Sequence, residues 1–191
     1  MGAVTVTSDW PPAPGPLTVA DLERTPDDGR RYELVDGVLV VSPAPLVPHQ
    51  VVLHKLAVLL EEALPEEFDI VPGPGVQMSD ITELVPDLAV VRQEQLSGRR
   101  ITSPPVLAVE VRSRSTALFD MNTKKAVYER FGIESYWIVV PDRERPELLA
   151  FELRGSTYRQ IAHAVGDEEF RAERPFGVRI VPARLVARLP R

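Results

Sequence analysis

Apolar and polar positions alternate along RYELVDGVLVVSP and break at Asp36-Gly37, a dipeptide that favours the type I′ turn, so residues 31 to 41 are predicted as a β-hairpin. The period then changes. From His49 to Leu64 the apolar residues Val52, Leu56, Leu59, Leu60 and Ala63 follow a helical spacing that stops at Pro65. Candidate strands come next at Phe68 to Val71, Val76 to Met78, Pro86 to Val91 and Leu107 to Val111. Ser115 or Thr116 can cap a helix running to about Phe131, and Gly132 stands where a helix C-cap is wanted. SYWIVV is a strand by its aromatic and β-branched content, and LLAFELRGSTYRQIAH reads as a second hairpin around Gly155. A further strand is expected near Val178 to Val181, and Thr18 can cap a short helix through Glu23. Residues 1 to 16 are rich in Pro and Gly and are expected to form a flexible arm, which leaves residues 17 to 191 as a single domain. Helix, hairpin, helix, several strands, helix, strand, hairpin is the order of a mixed α/β domain whose central strands are covered by helices.

Composition narrows this without changing it. The chain has 191 residues, 44% hydrophobic and 26% charged, enough for one well-formed core. It has no cysteine, which excludes disulfides and thiolate metal sites and agrees with a reducing cytosol. The first residues lack a basic and apolar leader, and no run of about 18 apolar residues occurs, so the expectation is a cytoplasmic protein with no membrane partner. The net charge of −6 excludes a surface coated in positive potential. It leaves room for a local basic cleft. Arg99, Arg100, Arg112, Arg114, Lys124 and Lys125 gather between Arg92 and Arg130, as a solvated surface or as such a cleft.

The candidate chemistry lies in LAVEVRSRST. Leu107, Val109 and Val111 fall on one face of an extended segment, which sends Ala108, Glu110 and Arg112 to the other. Asp87 opens PDLAVV, the preceding apolar strand. If the two strands are neighbours, both carboxylates can meet on one patch. A lone buried carboxylate is costly and tends to protonate, whereas a shared divalent cation keeps both ionised. In the next helix Asp120, Lys124 and Tyr128 are spaced i, i+4, i+8 and form one stripe, with Lys124 near the sheet-packing side and Lys125 free to reach water. An ammonium beside a carboxylate pair can hold an attacking water and stabilise a pentacovalent phosphate.

Quieter readings exist for each residue. Lys124 could snorkel over apolar surface and bridge to Asp120. Asp87 could simply begin a strand with a turn-stabilising hydrogen bond. Glu33 could pair with Arg30 or Arg31 across the hairpin. Tyr128 could be core with its hydroxyl satisfied, and Tyr136 and Trp137 could anchor a strand. His49 and His54 are not spaced as a zinc pair on a helix, so capping or packing suits them.

VPDLAVV, LAVEVRSRST, the Asp120–Lys124–Tyr128 spacing, GIESYWIVV, and RYELVDGVLVVSP with the downstream His49 together resemble the Uma family of restriction-endonuclease-like proteins, a branch of the PD-(D/E)XK nuclease superfamily. The likeness covers roughly residues 18 to 160. It implies a restriction-endonuclease-like fold, a central mixed sheet flanked by helices with additional β-hairpins, and a metal-dependent endonuclease acting on DNA. Under it Asp87 matches the motif aspartate and Glu110 the second acid, and both join the backbone carbonyl of Val111 as ligands to Mg²⁺ or Mn²⁺, with Glu33 as an extra ligand. Lys124 takes the catalytic lysine's role, because the usual place two residues after the glutamate holds Arg112. VRSRS also departs from the family's more usual LSPS. Arg112 is expected to act electrostatically, since a guanidinium clamps phosphate but is a poor proton acceptor. Arg112, Lys125 and Tyr128 are the candidate substrate contacts, and a homodimer is the geometry that would allow a double-strand cut. The alternative is a degenerate nuclease fold kept as a nucleic-acid or protein binding module.

Overall fold

The computed structural model describes residues 15–112, 119–187 and 189. Most of the expected N-terminal arm and the proposed Ser115 or Thr116 cap lie outside these residues. In chain order the elements begin with α1 (Val19–Leu22), the hairpin β1 (Arg31–Val35) and β2 (Val38–Ser42), and α2 (Val47–Glu61). Four strands follow: β3 (Phe68–Pro72), β4 (Val76–Ser79), β5 (Thr82–Leu84) and β6 (Leu88–Arg92). A 3₁₀ turn (Gln93–Leu96) leads to β7 (Leu107–Val111), and a π-helical turn (Phe119–Lys124) runs into α3 (Lys125–Phe131). The chain continues through β8 (Ser135–Val140), β9 (Glu147–Arg154), β10 (Thr157–Val165), β11 (Phe170–Ala172), β12 (Val178–Ile180) and α4 (Pro182–Val186).

Asp36 and Gly37 both take positive φ (48° and 81°), as a type I′ hairpin turn demands. A Cβ on Gly37 would also stand 2.9 Å from the Pro16 Cβ, because the chain entering α1 crosses this turn and Leu17 N–H donates to the Gly37 carbonyl. In α2, Val52, Leu56 and Leu60 make one fully buried stripe. The helix ends before Leu64 because Ala63 and Leu64 bond three residues back, to Leu60 and Glu61, tightening the last turn well ahead of Pro65. β6 begins at Leu88, not at Pro86, since proline has no N–H to give the ladder. Gly132 takes φ 88° and closes α3 as expected.

Among the described residues the strands form a six-stranded sheet in the order β10-β9-β8-β7-β6-β3, a four-stranded sheet β2-β1-β5-β4, and the ribbon β11-β12. The β7–β8 pair is parallel and its neighbours are antiparallel, so the large sheet is mixed. Alternation along the central strands splits the core in two. Leu88, Val90, Leu107, Val109, Val111, Trp137 and Val139 face α2, α4 and the ribbon. Ala108, Tyr136 and Ile138 face α3 and Leu84 of the smaller sheet. Lys55 ties the first layer together by donating from Nζ to the carbonyl of Leu185 at 3.1 Å, at the end of α4. No helix among the described residues is long and apolar enough to cross a membrane.

Candidate active site

β6 and β7 pair antiparallel with Leu88 opposite Val109 and Ala89 opposite Ala108. Continued by one residue, that register sets Asp87 opposite Glu110, on the face shared with Ala108. The two acids are therefore on one side of the sheet. Asp87, Glu110 and, from β1, Glu33 are each no more than 3% exposed.

Asp87 is held from three directions. Its Oδ1 accepts from Arg31 Nη1 at 2.8 Å, while Oδ2 accepts the Val111 N–H at 2.8 Å and pairs with His49 Nε2 at 2.9 Å. Burial alone would push this carboxyl up. The hydrogen bond from His49, the charge of Arg31 and the Val111 N–H outweigh it and hold the pKa down to about 2. The quieter reading of Asp87 as a local turn residue gives way to a contact with a backbone 24 residues along the chain.

Lys124 occupies the centre. Its ammonium lies 2.9 Å from Glu33 Oε1 and 3.0 Å from Glu110 Oε1, with the Val85 carbonyl 3.4 Å away. At 2% exposure it does not snorkel. Glu33 Oε1 also accepts the Val85 N–H at 2.7 Å, and Glu110 Oε1 the Tyr128 hydroxyl at 2.7 Å. Burial first, then the charges of Glu110 and Glu33, push the Tyr128 phenol well above its ordinary pKa, so it stays a neutral donor. Its hydroxyl is satisfied within the cluster, while its ring packs on Tyr136 with centroids 5.3 Å apart.

The remaining sequence candidates divide between the cluster and its surroundings. Glu33 does not pair across the hairpin: Arg30 goes to Asp28 and Arg31 to Asp87. Lys125, expected to reach water, lies half-buried with its ammonium 4.2 Å from the Phe151 ring centroid, a cation–π contact. Val111 offers its N–H to Asp87, and Arg112 is half-buried with its backbone N–H on the Val139 carbonyl at 2.8 Å.

Two site residues escaped the sequence reading. His49, assigned to capping or packing, reaches Asp87 from the first turn of α2. Arg31, by sequence a possible hairpin partner of Glu33, stands two residues from it and so shares its face of β1. That alternation was the available signal. Burial works against the Arg31 charge, but Asp87, then Glu110 and Glu33, raise its pKa overall.

Among the described residues no group of three or more His, Cys, Asp and Glu side chains is placed to hold a metal ion. Magnesium asks for less, since it keeps several waters and takes one or two carboxylates. Asp87 and Glu110 are the hard oxygen donors such an ion would take, though Asp87 is already bonded to Arg31, His49 and the Val111 N–H, and Glu110 Oε1 to Lys124 and Tyr128.

A protein family described as "Putative restriction endonuclease" matches residues 19–184. The fold is similar to a crystal structure from Anabaena variabilis ATCC 29413 described as a putative nuclease belonging to DUF820. The TM-score is 0.72 at 14% sequence identity, over 90% of this chain and 98% of that one. No curated protein sequence matches the chain.

Proposed function

The chain belongs to that family, Uma2, and on this premise we propose that it is a magnesium- or manganese-dependent endonuclease hydrolysing DNA phosphodiester bonds. The observation that carries the reading is the placement of Asp87 and Glu110 on one sheet face with the Lys124 ammonium 3.0 Å from Glu110. Asp87, Glu110 and the Val111 carbonyl would hold the ion, with Glu33 as an additional or water-bridged ligand. Once bound, the ion supplies Lewis acidity at the scissile phosphate and acidifies a water.

The chain's own residues do the rest. Lys124 holds a positive charge between Glu33 and Glu110, where it orients the attacking water and offsets negative charge gathering on the phosphoryl oxygens. Tyr128 fixes the Glu110 carboxylate through its hydroxyl. Arg112 contributes positive potential just beyond β7. The water releases a proton to solvent as its oxygen bonds to phosphorus, the ester P–O bond breaks, and the departing oxygen takes up a proton from solvent. One cluster serves one strand, so a double-strand cut takes a second copy of the chain.

A second reading is favoured by one feature: Lys124 and Arg31 already pair the carboxylates, so the cluster is largely charge-balanced without an added ion. A degenerate fold that binds nucleic acid or protein would look the same. Supercoiled plasmid with Mg²⁺, and with EDTA as control, separates the two. The nuclease reading expects nicking that EDTA stops and that Asp87→Ala, Glu110→Ala or Lys124→Ala abolishes. Undiminished nicking in a variant removes that residue from the chemistry, and no nicking by the parent chain favours the binding module.

A further inference from the structure

Arg31 is the cation of the cluster whose donors are only partly used. Both of its hydrogen bonds to described residues come from Nη1, to Asp87 Oδ1 at 2.8 Å and to the Val85 carbonyl at 3.2 Å. Nε and Nη2 have no hydrogen-bond partner among the described residues, and neither is a buried orphan. The side chain is 22% exposed against 2% for Lys124, so the unused edge meets solvent while the inner edge is anchored on the site.

An edge of parallel N–H groups is the shape that takes two oxygens of a phosphate at once. If Arg31 served only to neutralise Asp87, a point charge would do as well, and His49 with the Val111 N–H already stand on the other oxygen. The anchor is rigid. Arg31 is the first residue of β1 and pairs with Ser42 of β2 in a regular ladder, so its direction is set by the sheet. We infer that the outer edge of Arg31, Nε–H and Nη2–H, binds a phosphate of the nucleic-acid substrate beside Asp87, making Arg31 a substrate-binding residue of the site. The assignment rests on the nuclease reading and deepens it.

The test is fluorescence anisotropy with a fluorescein-labelled DNA duplex in Ca²⁺, a hard cation that takes the same oxygen donors, across a series of salt concentrations. For Arg31→Gln the affinity falls about 10- to 100-fold, and the slope of log K against log salt shrinks by about one phosphate contact. Arg31→Lys keeps the slope, because the charge remains, but loses affinity because the fork is gone. Parent-chain binding with an unchanged slope in Arg31→Gln overturns the assignment and leaves the nuclease reading to the plasmid assay. No duplex binding by the parent chain overturns both. If Arg31→Gln fails to fold, Arg31→Lys decides: full affinity with the fork removed also overturns the assignment.

Discussion

Asp87 immediately precedes β6, and the N–H of Val111, the residue after Glu110 on the neighbouring β7, closes onto Asp87 Oδ2 at 2.8 Å. The backbone of one acid's strand thus fixes the side chain of the other. Glu110 itself survives in a five-residue strand that is buried at every position because its carboxylate meets the Lys124 ammonium and the Tyr128 hydroxyl, so its charge is paired where water is excluded.

The lowered pKa of Asp87 makes stability depend on acid. Its folded value of about 2 lies below the ordinary 3.8, so its contribution is fully present above about pH 4 and is lost as pH falls through about 2. The shift corresponds to roughly 2 kcal/mol. Urea unfolding of the parent chain should lose about that much more stability between pH 5 and 2 than Asp87→Asn does. Parallel curves would contradict the pairing with Arg31 and His49.

Removing the central ammonium leaves two buried carboxylates facing each other. Lys124→Met is expected to cost about 3–5 kcal/mol in urea denaturation. The double variant Glu33→Gln/Lys124→Met should recover part of that loss, giving a coupling energy of about 1 kcal/mol or more. Strictly additive losses would mean that the two groups do not share the contact.

Tyr128→Phe deletes one charge-assisted hydrogen bond to Glu110 and leaves Lys124 in place. It should destabilise the fold by about 1.5–3 kcal/mol and slow plasmid nicking less than Lys124→Ala does. A loss of nicking equal to that of Lys124→Ala would give the phenol a direct part in the reaction.

His49 acts on Asp87, so His49→Ala should slow nicking about 10- to 100-fold, as loss of a residue that orients a metal ligand typically does. His49→Gln, which keeps a donor on a side chain of similar reach, should restore part of the rate. Equal losses in Ala and Gln would exclude positioning through that hydrogen bond.

How far the sequence shows this depends on the range of the contact. Alternation within LAVEV put Glu110 opposite the main core face, and i, i+4 spacing joined Lys124 to Tyr128; both are local periodicities. The Asp36-Gly37 hairpin and the Gly132 cap were legible for the same reason. Arg31 and His49 reach Asp87 across 56 and 38 residues of chain, and no local period encodes that. β5 is three buried residues wedged between β1 and β4, too short to show an alternation. Its placement brings Val85 to the cluster, where its N–H meets Glu33 and its carbonyl accepts from Arg31 and Lys124. β11 is equally short, and only its pairing with β12 defines it.

On the proposed reading Asp87 and Glu110 together take one divalent cation. Calorimetric titration of Mn²⁺ into the parent chain, Asp87→Asn and Glu110→Gln measures it without any substrate. One binding event per chain is expected in the parent protein and its loss in both variants, each still folded by circular dichroism. Uptake that persists unchanged in either folded variant, or no uptake by the parent chain, would contradict it.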